Sequence, residues 1–333
     1  MQKIIRWGIL GTGNIAKKFA ADLRFVPDAV LAAVGSRTQE SANQFAKDFN
    51  ANHAFGSYEA LAKSGEVDII YISTPHTLHY ENTLLCLNNG KAVLCEKPFA
   101  ITTQQAKEMI ALAKEKQLFL MEAMWMKCNP IFLKLMEIVH GGALGDIRSV
   151  MVNFGFNALP TAPDRLTNKD LGGGSLMDIG VYNTCMALSI LGKPAEITAM
   201  MTPAERGADA QCAVNMNYEN GALVQMLSSF TVRLPTEAFI AGTKGTAKLS
   251  PLFYRPTAVI EQYDYETSKT TTISLPPSDG TGYQYEAIHA GECLRAGKTE
   301  SSLMPFADSL LLMETLDLIR QKAGISYKED GTI

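Results

Sequence analysis

Short apolar runs alternate with amphipathic stretches through the first part of the chain. The apolar runs cover residues 4–10, 30–35, 67–73, 92–95 and 118–121, and helical spacing of apolar residues occupies most of the intervals. A short continuous apolar run is typical of a strand that is buried on both faces of a sheet. Strands that alternate with helices predict a doubly wound parallel sheet of the α/β class.

The rest of the chain follows a different pattern. Strand candidates cover residues 147–156, 196–201, 211–218, 222–232, 237–241, 246–250, 258–263 and 270–275, and helix candidates cover 173–191, 284–296 and 305–323. Strands that follow one another with short turns predict a large, open and mostly antiparallel sheet. A length of 333 residues suits two domains. We therefore expect an α/β domain over residues 1–122 and an α+β domain over residues 123–333.

Composition and charge exclude several classes of partner. The net charge is −4 and no Lys/Arg-rich run occurs, which argues against a nucleic-acid partner. No apolar run approaches the length of about 18 residues that a membrane span needs. The six cysteines are scattered and the histidines lack metal-ligand spacing, so we expect buried thiols and no metal. With an N-terminus unlike a signal peptide, this balance predicts a cytoplasmic enzyme.

A glycine-rich turn directly follows the first predicted strand. Residues 11–16 read Gly-Thr-Gly-Asn-Ile-Ala and lead into a helical pattern. Gly11 permits the tight turn, Gly13 lets a pyrophosphate approach the backbone, and Ala16 lets the helix pack closely on the strand. The helix N-terminus offers free N–H groups to phosphates. The sequence therefore predicts a dinucleotide site that includes Gly11, Thr12, Gly13, Asn14 and Ile15.

The second predicted strand ends in Ser36, Arg37 and Thr38. Sites for NAD usually hold an acidic residue here, which binds the ribose 2′-hydroxyl and would repel a 2′-phosphate. Arg37 can instead donate a forked pair of hydrogen bonds to a phosphate and stack on adenine. We therefore predict that the cofactor is NADP rather than NAD.

Polar residues also follow the next two strands of the first domain. Ser73, Thr74 and Pro75 end one strand, with His79 a little further on, and Glu96, Lys97 and Pro98 end the other. Ligands of doubly wound sheets bind beyond the carboxyl ends of the strands. We therefore expect Ser73, Thr74, Pro75, Glu96 and Lys97 at the cofactor site, with His79 packed beside the nicotinamide ribose.

The second domain holds a further group of candidates. A triple-glycine stretch precedes a predicted helix in which Asp178 and Tyr182 are four residues apart and so share one face. Trp125 and Phe154 are candidate walls of a substrate pocket, since flat rings stack on the C–H faces of sugars and diols. Arg165, on the loop before the helix, is a lesser candidate.

The motifs of both domains together resemble those of the Gfo/Idh/MocA oxidoreductases. They are the turn over residues 11–16, Ser73-Thr74-Pro75 with His79, Glu96-Lys97-Pro98, and the stretches 171–182, 282–286 and 300–305. The resemblance implies a Rossmann domain followed by a substrate-binding and dimerisation domain. Many members carry His where Tyr182 stands. In having Tyr182 at this position and Trp125 after the last strand of the first domain, the chain resembles the branch of the family that contains dimeric dihydrodiol dehydrogenase and NADP-dependent D-xylose dehydrogenase.

The expected reaction is hydride transfer between nicotinamide C4 and the carbinol carbon of a sugar, polyol or trans-dihydrodiol. Oxidation of an alcohol requires a base in contact with the hydroxyl. We predict Lys97 as the main acid/base residue, with Tyr182 as its partner or alternative. Asp178 would hold substrate hydroxyls or orient Lys97, and Glu96 would support the turn or the cofactor amide.

Residues 210–218 and 221–232, which include two neighbouring strand candidates, contain no charged residue. One face of this pair carries Asn215 and Asn217, with Gln225 and Ser229 as candidates in the second strand. A polar but uncharged face suits a subunit interface, where buried charge is costly. We predict a homodimer through this sheet, as the resemblance also implies.

Two alternative functions stay open. Some relatives use tightly bound NAD for transient oxidation in glycosidases or isomerases, and Arg37 argues against that reading. An NADP-binding regulator without turnover is the other alternative, and the presence of Lys97 and Asp178 argues against it. The fold does not decide which alcohol is the substrate.

Overall fold

The computed structural model describes residues 3–158 and 164–331, and the chain divides into two compact units. The first comprises Met1–Cys128 and Ser278–Leu310, and the second comprises Asn129–Pro277 and Leu311–Ile333. The expected boundary after residue 122 placed Ser278–Leu310 in the second domain, whereas these residues belong to the first unit.

A parallel sheet forms the centre of the first unit. Its strands are β1 (Ile5–Leu10), β2 (Ala29–Gly35), β3 (His53–Phe55), β4 (Ile69–Ile72), β5 (Ala92–Glu96) and β6 (Leu120–Ala123). Among the described residues their order is β3-β2-β1-β4-β5-β6, and each pairing is parallel. The strand order reverses between β1 and β4, which is where ligands bind in such sheets. The predicted doubly wound sheet is confirmed.

Helices cover this sheet, and short polar side chains begin several of them. They are α1 (Asn14–Leu23), α2 (Gln39–Phe49), α3 (Tyr58–Lys63), α4 (His79–Asn88) and α5 (Thr103–Lys116). Thr38, Ser57 and Thr102 each accept a hydrogen bond from a backbone N–H in the first turn of the helix that follows. Phe19 of α1 stacks on Tyr71 of β4, with ring centroids 3.8 Å apart, and so anchors the first helix to the sheet.

The second unit is built on a mostly antiparallel sheet of eight described strands. Its elements are α6 (Pro130–His140), β7 (Ile147–Gly155), α7 (Asp164–Thr167), α8 (Val181–Leu191), β8 (Glu196–Pro203), β9 (Asp209–Asn217), β10 (Leu223–Ser229), β11 (Ala238–Gly242), β12 (Gly245–Leu249), β13 (Ile260–Asp264) and β14 (Lys269–Ile273). The order is β14-β13-β12-β11-β7-β10-β9-β8. The pairing of β10 with β7 is parallel, and the other pairings between described strands are antiparallel. The predicted second sheet is confirmed. Helix α8 packs against its strands β7 and β10.

The last two helices are α9 (Tyr283–Arg295) and α10 (Phe306–Ala323). A buried carboxylate of α1 holds the start of α9 in the first unit. Asp22 is 2% exposed and accepts hydrogen bonds from the backbone N–H groups of Thr281, Gly282 and Tyr283 at 2.8–3.0 Å. Acidic groups are favoured at helix N-termini, so this contact stabilises the start of α9 against α1. Because it joins residues about 260 positions apart, local sequence patterns do not reveal it.

Four of the elements named here were not predicted from the sequence. They are the short edge strand β3, the helices α6 and α7, and a π-helical turn over Leu176–Gly180 that precedes α8. The turn replaces the first part of the regular helix that was expected over residues 173–191. Within the described ranges, no helix is long and apolar enough to cross a membrane.

Candidate active site

A cavity of ≈ 560 Å³ opens at the carboxyl ends of β1, β2 and β4 in the first unit. It is lined by Gly11, Thr12, Gly13, Ser36, Arg37, Thr38, Ser41, Tyr58, Ser73, Thr74, Pro75 and Leu78. Nine of these residues were predicted from the sequence as cofactor-binding, and Ser41, Tyr58 and Leu78 were not. A volume of this size lies in the range of small-molecule and cofactor pockets.

The two glycines of the turn have different structural roles. Gly11 has φ +107°, and a Cβ there would lie 3.0 Å from Ser73 Oγ, so the turn is tight against the end of β4. A Cβ on Gly13 would meet no described atom within 4 Å. The space beside Gly13 is therefore open, and Gly13 precedes the first turn of α1 without a side chain to cap its N–H groups. This arrangement fits a pyrophosphate that approaches the backbone.

The end of β2 supplies polar and cationic groups to the cavity. The hydroxyls of Thr12 and Ser36 are 3.3 Å apart and share a hydrogen bond, which joins the ends of β1 and β2. Thr38 accepts from the N–H of Ser41 at 3.2 Å and so begins α2. Arg37 is exposed in the cavity wall, close to Tyr58. Burial raises the pKa of Tyr58, and the positive charge of Arg37 acts in the opposite direction.

His79 joins the ends of β4 and β5. Its ring is fully buried, with Nδ1 2.8 Å from the carbonyl oxygen of Pro98 and Nε2 3.0 Å from that of Thr74. Burial lowers the pKa of His79 to about 4. Both ring nitrogens thus face main-chain carbonyls. Asn82 donates to Thr74 Oγ1 at 3.1 Å and so fixes the Thr74 side chain.

Two buried carboxylates hold the turn that carries Lys97. Glu96 accepts from the Tyr71 hydroxyl with one oxygen and from the N–H of Lys97, at 3.2 Å, with the other. Glu122 accepts from the N–H of Phe99 at 3.2 Å, and burial raises the pKa of Glu122 to about 7. The Lys97–Pro98 peptide bond is cis. Lys97 itself is half-buried, on a turn whose backbone is fixed on both sides.

In the second unit, the π-helical turn presents Asp178 and the first residues of α8 present Tyr182. Single π-helical turns occur frequently at functional sites. The Asp178 side chain is 13% exposed and lies 3.7 Å from Arg165, an ion pair that makes Arg165 part of this group. Among the described residues, no cluster of three or more His, Cys, Asp or Glu side chains could hold a metal ion.

Aromatic rings surround Tyr182 within the second unit. The Phe154 ring centroid lies 5.8 Å from that of Tyr182 and 4.7 Å from that of Tyr254, which stacks on it. Tyr254 was not predicted as a site residue. The sequence signal that could have indicated it is the aromatic pair at 253–254 between two prolines, which is typical of a loop that carries aromatic side chains. Trp125 belongs to the first unit and stacks on Tyr283, with centroids 4.5 Å apart. The structure therefore groups Phe154 with Tyr182 and Asp178 in one unit, and Trp125 with Lys97 in the other.

The parallel sheet with its glycine turn and edge cavity defines an NAD(P)-binding Rossmann domain, joined to a second α+β unit. Residues 5–124 match the family model described as an oxidoreductase family with an NAD-binding Rossmann fold, and residues 132–248 match the GFO/IDH/MocA C-terminal domain. The chain therefore belongs to the Gfo/Idh/MocA oxidoreductase family, as its motifs predicted.

Full-length relatives support this assignment. The chain is 36% identical to the trans-1,2-dihydrobenzene-1,2-diol dehydrogenase of Mus musculus, over 98% of this chain and 99% of the relative. The human enzyme of the same name is 35% identical over the same shares. Among solved structures, a 3-ketoreductase from Actinomadura kijaniata in complex with NADP and TDP-benzene has a TM-score of 0.85 at 26% identity, covering 96% of this chain and 98% of that one. These relatives identify the chain as an oxidoreductase.

Proposed function

We propose that this protein is an NADP-dependent dehydrogenase or reductase that interconverts a secondary alcohol and its carbonyl. The observation that carries the proposal is the cavity in which Arg37 stands beside Ser36 and Thr38, next to the glycine turn. An acidic residue at this strand end would favour NAD, whereas a guanidinium suits a 2′-phosphate. The relative solved with NADP supports the same cofactor.

The substrate class follows from the relatives and from the second unit. Relatives named trans-1,2-dihydrobenzene-1,2-diol dehydrogenase act, by that name, on a cyclic trans-diol. The rings of Phe154, Tyr182 and Tyr254 provide flat apolar surface beside the carboxylate of Asp178, a combination that suits a molecule with a C–H face and hydroxyl groups. We therefore propose a trans-dihydrodiol, sugar or polyol as substrate.

The residues of the chain would bind the cofactor and move the proton. When bound, NADP supplies the hydride acceptor at nicotinamide C4. Gly13 and the first N–H groups of α1 would hold the pyrophosphate, and Arg37 the 2′-phosphate. Lys97 would take the hydroxyl proton as the alcohol is oxidised and return it in the reverse direction, with Tyr182 as partner or alternative. Asp178 would accept hydrogen bonds from substrate hydroxyls.

Structures of the Actinomadura 3-ketoreductase include one variant in which a lysine is replaced by alanine and another in which a tyrosine is replaced by phenylalanine. A lysine and a tyrosine are the two residue types that we propose for proton transfer. The same pair of types in a relative supports Lys97 and Tyr182 as the groups to test first.

A substrate panel tests the proposed function. Purified protein is mixed with trans-dihydrodiols, polyols and aldoses, and NADPH absorbance is followed with NADP⁺ and, in parallel, with NAD⁺. We expect turnover of at least one class, with kcat/KM higher for NADP⁺. Tight NADP binding without turnover of any class would favour the regulator alternative. Tightly bound NAD with turnover of a glycoside or an isomerisable sugar would favour the NAD-assisted alternative.

We also propose that the protein forms a homodimer through the open face of the second sheet. Across β8, β9, β10 and β7, Thr198, Asn215, Gln225 and Met151 lie in register on this face, and none is charged. Met200 is 71% exposed and Leu223 is 56% exposed. This central patch of apolar and uncharged polar side chains is suited to burial against a second copy, and the charged Glu196 and Lys248 lie on the same face outside it. Ser229, proposed for the same face, is instead fully buried.

One charge at the centre of this face should prevent the dimer. Gln225→Arg would bury an unpaired guanidinium against its symmetry mate, and we expect light scattering at micromolar concentration to give the monomer mass. Gln104→Arg, on the exposed side of α5, adds the same charge away from the sheet and should leave the dimer intact. A monomer mass for the unmodified protein, or a dimer that tolerates Gln225→Arg, would count against this interface.

A further inference from the structure

A single buried carboxylate holds the start of the helical segment that carries Asp178 and Tyr182. Asp209, at the first position of β9, is fully buried. Its Oδ2 accepts hydrogen bonds from the Ser175 hydroxyl at 2.7 Å and from the N–H of Leu176 at 2.8 Å. These are the two residues at the point where the triple-glycine stretch ends and the π-helical turn begins.

Two glycines of this stretch lie where a side chain would not fit, and one of them packs directly against the carboxylate. Gly174 has φ +127°, and a Cβ there would lie 2.1 Å from Asp209 Oδ1. A Cβ on Gly173 would lie 2.5 Å from the carbonyl oxygen of Arg165. The carbonyl of Gly173 accepts from the hydroxyl of Tyr327 at 2.6 Å. A side chain at Gly174 would therefore displace Asp209, which gives a physical reason for the glycine at that position.

Burial and hydrogen bonding act on this carboxyl group in opposite directions. Desolvation raises the pKa of Asp209 to about 6, and the hydrogen bonds from Ser175 and Leu176 act in the opposite direction. Hydrogen bonds to an ionised acceptor are shorter and stronger than neutral ones, and an anion is favoured at the start of a helix. Burial of a carboxylate is costly unless hydrogen-bond donors are in place. Ser175 and Leu176 supply donors to Oδ2, whereas Oδ1 has no hydrogen-bond partner among the described atoms, so the two contacts to Oδ2 are the ones that a substitution would remove.

Leu176 begins the helical segment that carries both Asp178 and Tyr182, so its position determines theirs. Asp178 lies two residues further along the same π-helical turn, and its N–H donates to the carbonyl oxygen of Gly174 at 3.1 Å. The turn continues without a break into α8, in which Tyr182 is the second residue. A change in the anchoring of Leu176 would therefore rotate or shift both side chains together.

We propose that Asp209 is a positioning residue of the redox site, which fixes the orientation of Asp178 and Tyr182 through its hydrogen bonds to Ser175 and Leu176. The inference rests on the proposed roles of Asp178 and Tyr182 in substrate binding and proton transfer. Asp209 is not itself expected to contact substrate, since it is fully buried and lies behind the glycine stretch.

Two substitutions at Asp209 test this role. Asp209→Ala leaves the Ser175 hydroxyl and the Leu176 N–H without their acceptor, whereas Asp209→Asn keeps an amide oxygen that can accept both. With the substrate found in the panel, we expect Asp209→Ala to lower kcat about 10–100-fold, because a displacement of about 1 Å can have that effect. Asp209→Asn should recover most of the loss. The Kd for NADP should stay within about twofold in both variants, because the cofactor cavity is lined by residues of the first unit.

A measurement that does not depend on turnover distinguishes the positioning role of Asp209 from the proposed redox function. Hydrogen exchange of peptides over residues 174–184 should be faster in Asp209→Ala than in the unmodified protein, and close to normal in Asp209→Asn. Asp146→Ala, which removes an exposed carboxylate of the same unit, should leave both exchange and kcat unchanged. Unchanged exchange in Asp209→Ala, or equal kcat in Asp209→Ala and the unmodified protein, would overturn the positioning role. Faster exchange in a protein that turns over no substrate would support the anchor while refuting the proposed function.

Discussion

Replacing Lys97 with Met should lower kcat by about 10³-fold or more, while the Kd for NADP stays within about twofold. A positioned acid/base group contributes about 10²–10⁴-fold to a proton-transfer step, and Met keeps the length of the side chain without a group that can carry the proton. The turn should persist, since Glu96 and Glu122 hold it through the N–H groups of Lys97 and Phe99. Single-turnover kinetics and NADPH fluorescence titration measure the two quantities separately.

A matched control and a second variant make the assignment decisive. Lys116→Met removes an exposed lysine at the end of α5 and should leave kcat unchanged. Tyr182→Phe removes a hydroxyl but keeps the ring against Phe154, and we expect a smaller loss than for Lys97→Met. If Tyr182→Phe were the more damaging change, Tyr182 would be the proton-transfer group and Lys97 its partner. Near-normal kcat in Lys97→Met would refute the role of Lys97.

The cofactor cavity was largely predictable because each of its parts follows a local rule. A parallel strand ends where its apolar run ends, and the carboxyl ends of neighbouring parallel strands meet at one edge of the sheet. Gly11, Ser36 and Thr74 could thus be placed together from three separate stretches of sequence. Tyr58 could not, because it reaches the cavity from the start of α3, and a helix start gives no sign of which strand end it faces.

The contacts that hold Asp178 and Tyr182 in place could not be predicted from the sequence, for a different reason. Sequence periodicity placed Asp178 and Tyr182 on one helical face, but it does not distinguish a π-helical turn from a regular one. The partner of the glycine stretch, Asp209, lies 34 residues beyond Ser175, at the start of β9. Similarly, the contact between α1 and the start of α9 depends on Asp22, and nothing in the helical pattern of α1 indicates that Asp22 is buried or what it binds. Long-range contacts of single buried carboxylates carry no local signal.

The second large effect concerns the cofactor. Arg37→Asp should weaken NADP⁺ binding by about 10²-fold or more and leave NAD⁺ binding equal or tighter, so that the preference reverses. Hydrogen bonds to charged groups contribute about 1.5–3 kcal/mol each, which corresponds to about 10–100-fold in Kd. Asp at this strand end would also repel a 2′-phosphate and accept from a 2′-hydroxyl.

The geometry of the β2 end is the reason why we propose Arg37 as the group that discriminates between the two cofactors. Ser36 is buried and shares its hydroxyl with Thr12, and Thr38 is occupied at the start of α2, so Arg37 supplies the positive charge among the residues that line the cavity. Arg24→Asp makes the same change of charge on an exposed arginine outside the cavity and should alter neither Kd. Calorimetric titration of both cofactors into the three proteins gives the comparison. Equal or tighter binding of NAD⁺ by the unmodified protein, or equal weakening of both cofactors by Arg37→Asp, would show that Arg37 does not read the 2′-phosphate.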